Sequence, residues 1–242
     1  MIKLENTEVV GWEHAIRGMR NPMNSWEKSD SDYRPILSRR CDNCITYQLE
    51  HWEDCDKCEV NIECDSHDGF MIGPNDYALM KRLRNAGTDH RKFMRMITVY
   101  LDITAPLYWW KEYDTYKVGT VANSCSTMHK IAAKEFTIED FSTEHLYPEV
   151  REAFENTIIK YLNEARKTYN FLSDTPSKKD AWWQMIQILP TSYNQRRTVM
   201  LNYEVLANIY KSRRNHKLDE WHTFCDWIEN LPYSELITGE KK

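Results

Sequence analysis

The sequence predicts an α+β fold dominated by helices, with residues 1–242 as a single domain and a small Cys-rich insertion at 41–64. Three observations support this prediction. A chain of 242 residues can bury a substantial core. Its second half repeats apolar residues at helical spacing, whereas residues 96–103 are β-branched and aromatic. Five of the seven cysteines fall in one short segment, which sets that segment apart.

The elements of the first half follow from breakers and apolar patterning. Residues 6–20 predict a short strand followed by a helix. Residues 21–74 are polar and irregular, which is typical of an insertion that is held together by a cross-link of its own. Asn75 is suited to cap the next helix, and Gly87 to follow its end. Residues 96–103 predict a largely buried strand.

The second half predicts mainly helices. Pro106 ends the strand and opens a helix to about Tyr116. A long helix from Pro148 to about Leu172 is indicated by apolar residues spaced 4, 4, 4 and 3 apart, namely Val150, Phe154, Ile158, Leu162 and Ala165. Further helices are predicted at 182–189, which Pro190 ends, at 194–214 and at 218–230.

Charge and hydropathy exclude several classes of protein. Lys and Arg number 32 and Asp and Glu 37, a formal net charge of −5, so no overall basic field attracts nucleic acid. No apolar run approaches the roughly 18 residues that span a bilayer. The first residues lack the charged start and apolar stretch of a secretory signal. We therefore expect a soluble cytoplasmic protein with neither membrane nor nucleic acid as a partner.

The cysteine cluster has the spacing of a paired zinc knuckle. The cluster has two CxxC turns with ten residues between them, and five further residues separate the second turn from a fifth cysteine. Its members are Cys41, Cys44, Cys55, Cys58 and Cys64. Two such turns can place four thiolates tetrahedrally around Zn²⁺, and a four-thiolate site has no open position for catalysis. We therefore predict a structural zinc site, with His51 and His67 as spare ligands.

Other interpretations of the cluster stay open. An iron–sulfur cluster uses the same ligands. Disulfides need an oxidising compartment, and small buried cysteines need no metal at all. A nucleic-acid-binding zinc ribbon is disfavoured because eight acidic residues surround the cysteines, namely Asp42, Glu50, Glu53, Asp54, Asp56, Glu59, Glu63 and Asp65.

Two polar patches are candidate ligand sites. In the predicted 194–214 helix, Asn202 and Arg213 interrupt an apolar face that also carries Val199, Leu206 and Ile209. A buried Arg needs an anion, so this face predicts either a ligand pocket or an internal salt bridge. Residues 105–130 combine Trp and Tyr side chains, as in a pocket wall or a core, with a hydroxyl-rich 119–126 stretch that is typical of phosphate-binding loops.

The order of these features resembles the flavin-dependent thymidylate synthases. The resemblance covers roughly residues 76–130 and 181–225: a His, a strand ending in Ala-Pro, an aromatic helix, a polar loop, and Leu-Pro before a segment with two Asn and an Arg. It implies a helix-rich α/β fold, a homotetramer, and FAD and dUMP bound at subunit interfaces. It also implies methylation of dUMP with methylenetetrahydrofolate as one-carbon donor and NADPH as reductant.

The resemblance assigns site residues one by one, although catalytic residues stay unknown. Residues matching the FAD-contacting positions are His90, Lys117, Asn202 and Asn208, and those matching nucleotide positions are Thr120, Ser126 and Arg213. The family signature, Arg-His-Arg, then two intervening residues and a Ser, falls on Thr115, Tyr116, Lys117 and Thr120. Two of its three cations are therefore absent, and a Lys does not reproduce a bidentate Arg.

Two function hypotheses follow. In the first, the chain is a divergent member of that fold that binds FAD and a pyrimidine deoxynucleotide, dUMP or a relative, with one-carbon transfer to the base as its reaction. In the second, the same scaffold is non-catalytic and carries a zinc knuckle for partner binding or assembly.

Overall fold

The computed structural model describes residues 2–36 and 67–239. Two compact units are present, one formed by Met1–Gly11 with Met94–Lys242 and the other by Trp12–Phe93. The organisation of residues 1–242 as a single domain stays a prediction, and the Cys-rich segment 41–64 lies outside the described residues. Within the described ranges, no helix is long and apolar enough to cross a membrane.

The helices and strands confirm the predicted mixed, helix-dominated class. In chain order they are β1 (Lys3–Val10), α1 (Trp12–Arg20), β2 (Asp32–Ile36), β3 (His67–Met71), α2 (Pro74–Asn85), β4 (Thr98–Pro106), α3 (Leu107–Tyr113), β5 (Val121–Ser124), α4 (Thr127–Lys130), α5 (Pro148–Phe154), α6 (Lys160–Phe171), α7 (Pro176–Ile188), β6 (Asn194–Asn202), α8 (Tyr203–Arg213), α9 (Asp219–Glu229) and α10 (Glu235–Thr238).

A four-stranded antiparallel sheet organises the first unit, with strand order β1-β4-β6-β5. β4 and β6 pair over their full length, from Thr98 opposite Asn202 to Pro106 opposite Asn194. Val99, Leu101 and Ile103 alternate into the core, which is the burial pattern of a strand with one covered face.

Two apolar cores lie in this unit. The first is aromatic: Trp109 of α3 is fully buried, and its ring centroid lies 4.7 Å from that of Trp221 and 5.7 Å from that of Phe224, both on α9. The second involves the helices α6 and α7 and is formed by Ile131, Ala132, Phe136, Phe141, Ile159, Leu162 and Met185.

The segment predicted as a helix over 194–214 is half strand, so that prediction is wrong for residues 194–202. These residues form the inner strand β6, with Gln195, Val199 and Leu201 buried. Pairing with β4 on one side and β5 on the other satisfies their backbone groups, and this tertiary context decides between two local conformations. Asn202 ends β6 and caps α8 by accepting a hydrogen bond from the Val205 amide at 3.0 Å.

The long helix predicted from Pro148 to Leu172 is present, with one π-helical turn at Glu155–Ile159 between α5 and α6. The turn places Ile159, as well as Leu162, in the second core. A π-turn adds a residue to one helical turn and so shifts which of the following residues face the core.

Helix ends differ from the predictions by a few residues. α2 begins at Pro74 with Gly73 as its N-cap, rather than at Asn75. Gly87 follows its C-terminus with φ +109°, the left-handed conformation expected of a residue at that place. α7 begins at Pro176, six residues before the predicted start at Trp182.

The second unit contains α1, α2 and the antiparallel pair β2–β3, which runs from Asp32 opposite Met71 to Ile36 opposite His67. A buried ion pair lies within it. The guanidinium of Arg20 contacts Asp76 at 2.6 Å, and the other Asp76 carboxylate oxygen accepts hydrogen bonds from the Ser29 and Ser31 hydroxyls at 2.6 Å each.

Candidate functional site

Four of the residues predicted to bind ligands meet at one segment of the first unit, residues 116–120: Lys117 and Thr120 lie within it, and Asn202 and Arg213 contact it. The Thr120 hydroxyl donates to the Tyr116 carbonyl oxygen. Arg213 Nε donates to the Tyr116 hydroxyl at 2.9 Å. Gly119 has φ +79°, and a Cβ there would lie 2.9 Å from Asn202 Nδ2. The segment therefore lies against both ends of α8, with Asn202 at the start and Arg213 at the end.

Arg213 makes an internal salt bridge, which is one of the two possibilities that its place on an apolar face predicted. Its Nη1 lies 2.6 Å from Glu112 Oε2 on α3. Its guanidinium carbon lies 4.9 Å from the ring centroid of Trp221 and 5.6 Å from that of Tyr116, which are cation–π distances. The Arg213 side chain is 18% exposed, so the pair is half-buried rather than sealed.

Glu112 is the centre of this cluster. Besides Arg213, its Oε2 accepts from Trp221 Nε1 at 3.1 Å and lies 3.2 Å from His216 Nε2. The Leu218 amide donates to His216 Nδ1 at 3.2 Å, so the hydrogen-bond network assigns the ring proton to Nε2, which then donates to Glu112. We call Glu112, Tyr116, Arg213, His216 and Trp221 the Arg213 cluster.

A second arginine near α3 is also paired with a carboxylate. Arg197 Nη1 donates to Asp114 Oδ1 at 2.7 Å, and its guanidinium carbon lies 4.1 Å from the Trp110 ring centroid. Its Nε donates to Gln195 Oε1 at 3.0 Å. The carboxylates of residues 112 and 114 thus neutralise the guanidinium groups of Arg213 and Arg197.

The other predicted site residues lie apart from the Arg213 cluster or on the surface. Lys117 is exposed. Ser126 is exposed and caps α4 by accepting from the His129 amide at 3.0 Å. Asn208 is exposed on α8. His90 belongs to the second unit, where its side chain is exposed.

The dense 105–130 patch divides into core and sheet. Trp109, Trp110 and Tyr113 are buried in the aromatic core, and Tyr116 belongs to the Arg213 cluster, which Trp109 contacts through Trp221. Residues Val121–Ser124 form β5, paired with β6, rather than the phosphate-binding loop that their composition suggested. Sheet pairing uses backbone amides that such a loop would offer to an anion.

The predicted zinc ligands, Cys41, Cys44, Cys55, Cys58 and Cys64, lie outside the described residues. Within residues 2–36 and 67–239, no group of three or more His, Cys, Asp or Glu side chains is placed to hold a metal ion. The two cysteines in those ranges are free thiols, Cys125 being exposed and Cys225 buried.

Sequence reasoning missed Glu112, His216 and Trp221. Glu112 and Tyr116 are four residues apart, which is a local signal that they face the same side. The approach of α8 and α9 to α3 is a long-range contact, and no spacing in the sequence encodes it.

Two solved structures share this fold over the whole chain. One is thymidylate synthase X (ThyX) from Helicobacter pylori with FAD and dUMP, which matches with a TM-score of 0.63 and 14% identity over 98% of this chain and 97% of its own. The other is flavin-dependent thymidylate synthase ThyX from Helicobacter pylori complexed with FAD and dUMP, with a TM-score of 0.60 and 15% identity over 99% and 100% of the two chains. No family model and no curated protein matches the sequence. The predicted resemblance to the flavin-dependent thymidylate synthases is therefore confirmed at the level of the fold.

Proposed function

We propose that this chain binds a flavin and a pyrimidine deoxynucleotide, dUMP or a close relative, on a thymidylate-synthase fold. The observation that carries the proposal is the match along nearly the whole chain to two structures described with FAD and dUMP. In this assignment Arg213 orients the base, and Lys117 and Ser126 hold the phosphate. Asn202 and Asn208 contact the flavin, with Lys117 adjacent to it; His90 keeps the flavin role that the resemblance implies, with no position relative to these residues assigned to it.

The donor groups of the first unit fit such ligands. Lys117 is exposed, and its ammonium group is the kind of donor that a phosphate oxygen accepts from. Asn202 caps α8 with Oδ1, which leaves its Nδ2 hydrogens for a flavin carbonyl. Ser126 accepts through its oxygen, so its hydroxyl hydrogen is available to donate.

A bound reduced flavin supplies a hydride, and the reaction that we propose with it is one-carbon transfer to the base. The part of this chain is to bind and to orient. Arg213 is held by Glu112, Tyr116 and the Trp221 ring, so its remaining N–H groups have fixed directions before any ligand arrives. Assembly as a homo-oligomer, a tetramer by resemblance, belongs to the same proposal.

The test is an absorbance spectrum of purified protein after incubation with FAD, followed by titration of dUMP in a calorimeter. We expect retained flavin absorbance and saturable dUMP binding, and Arg213→Gln should weaken the dUMP binding. Asp226→Asn, which alters a surface ion pair with Arg214, is the matched control. Protein that stays colourless and gives no dUMP heat would refute the proposal.

One observation favours the non-catalytic alternative. Two signature cations are replaced, and Arg213 and Arg197 are each neutralised by an internal carboxylate. A descendant of this kind keeps the scaffold and carries zinc at the Cys41–Cys64 segment. Metal analysis on the same sample separates the two hypotheses: about one equivalent of zinc without flavin supports the alternative, and flavin without zinc removes it.

A further inference from the structure

The Arg213 cluster is electrically balanced before any ligand is present. Arg213 contributes one positive charge, Glu112 contributes one negative charge at 2.6 Å, and the hydrogen bond from the Leu218 amide assigns His216 a neutral tautomer. A group that binds at Arg213 therefore meets an ion pair rather than a free cation.

The internal contacts also determine which atoms remain for a ligand. Arg213 uses Nε for Tyr116 and Nη1 for Glu112, and Glu112 receives all three of its contacts on Oε2. Among the described residues, neither Arg213 Nη2 nor Glu112 Oε1 has a hydrogen-bond partner. The two side chains are 18% and 33% exposed, so the ion pair keeps one donor nitrogen and one acceptor oxygen that a ligand can contact.

Such a pair matches one kind of ligand group. A site that offers both a donor and an acceptor complements a neutral edge that carries an acceptor and an N–H, such as the N3–H and O4 of uracil or the N3 and N4 amino group of cytosine. A phosphate group has only acceptors. It can accept from Nη2, but its charge is repelled by the Glu112 carboxylate at the same place.

We propose that Glu112 is a specificity-determining residue, a resident counterion that makes the Arg213 site select the neutral edge of a base over a phosphate group. This inference rests on the proposed nucleotide-binding function, and it assigns to Glu112 a role toward the ligand that acts through Arg213. The nucleotide phosphate is left to the exposed Lys117 and Ser126.

Calorimetric titration of inorganic phosphate into the full chain and its variants tests the counterion role. Glu112→Gln keeps the size and the accepting oxygen but removes the charge, so phosphate should bind at least about tenfold more tightly than to the parent protein. Asp226→Asn is the matched control, because it removes an exposed carboxylate from Arg214, which keeps Glu229 at 3.4 Å as a second counterion. It should bind phosphate as the parent does.

The double variant Glu112→Gln, Arg213→Gln tests whether the additional phosphate binds at Arg213. It should lose the tighter phosphate binding of Glu112→Gln. Phosphate binding to Glu112→Gln that equals binding to Asp226→Asn would overturn the inference, and so would tighter phosphate binding that persists without Arg213. Circular dichroism establishes that each variant folds.

If Glu112→Gln does not fold, Arg213→Gln still tests the inference. Relative to the parent, it should bind deoxyuridine, which carries the base without phosphate, more weakly and inorganic phosphate equally, and an equal loss of both affinities would overturn the inference. Failure of the proposed function is a separate result: in that case neither FAD nor dUMP binds the parent, while Glu112→Gln still gains phosphate affinity through Arg213.

Discussion

Replacing Asp76 by asparagine is expected to destabilise the second unit severely. Asp76 is fully buried and Arg20 is 5% exposed, and their charged atoms lie 2.6 Å apart. Asparagine fills nearly the same volume but leaves a buried guanidinium without a counter-charge. Breaking a buried pair in this way costs about 3–5 kcal/mol, a large part of the roughly 5–15 kcal/mol that stabilises a typical domain.

The same substitution should remove a component of the pH dependence of stability. Burial raises the pKa of Asp76, but hydrogen bonds from Ser29, Ser31 and Arg20 outweigh it, so the folded pKa lies below its ordinary value. A carboxyl group with a lowered folded pKa contributes stability above its unfolded value of about 3.9, and loses it as the pH falls through the folded pKa. Asp76→Asn should lack that acid-dependent loss.

Urea unfolding followed by circular dichroism measures both effects. Asp226→Asn is the matched control, because the Arg214–Asp226 pair has a similar distance of 2.7 Å while its side chains are 39% and 61% exposed. An exposed pair contributes at most about 1 kcal/mol. Equal losses of unfolding free energy in the two variants would refute the reasoning that burial makes the Asp76 pair important.

Two further predictions concern Gly119 and Cys225. Gly119→Ala should cost about 1 kcal/mol more in urea unfolding than Gly87→Ala, since both have positive φ but only Gly119 would press a Cβ against the capping Asn202, and equal costs would contradict this. Burial raises the pKa of the Cys225 thiol to about 11, so at pH 8 iodoacetamide should modify the exposed Cys125 well before Cys225. Peptide mass mapping measures the two rates, and similar rates would show that Cys225 is accessible.

Local patterns were sufficient where a segment faces one environment. The strand–helix pair at residues 6–20, the strand ending at Pro106 and the helix α9 were predicted from apolar spacing and breakers. The helix prediction failed for residues 194–202 because their apolar positions fit helical and strand periods alike. Pairing with β4 and with β5 decided the conformation.

The candidate site was predictable only in part. Arg213 stands out in sequence because an arginine on an apolar face needs an anion. Its anion, Glu112, lies 101 residues earlier in the chain, and the contact exists only once α8 packs near α3. The polar loop around Ser126 was predicted from composition. Composition does not reveal that part of this segment, Val121–Ser124, pairs with β6 as a strand.

Helix α8 fixes the distance between Asn202 and Arg213. Asn202, its N-cap, and Arg213, its last residue, are eleven positions apart, which is about 16 Å along the axis and just over three turns. No rotamer change brings their donors together. A molecule that contacts both must extend over that length, or two molecules must lie end to end along one helix, with the rigidity of α8 setting the distance between them.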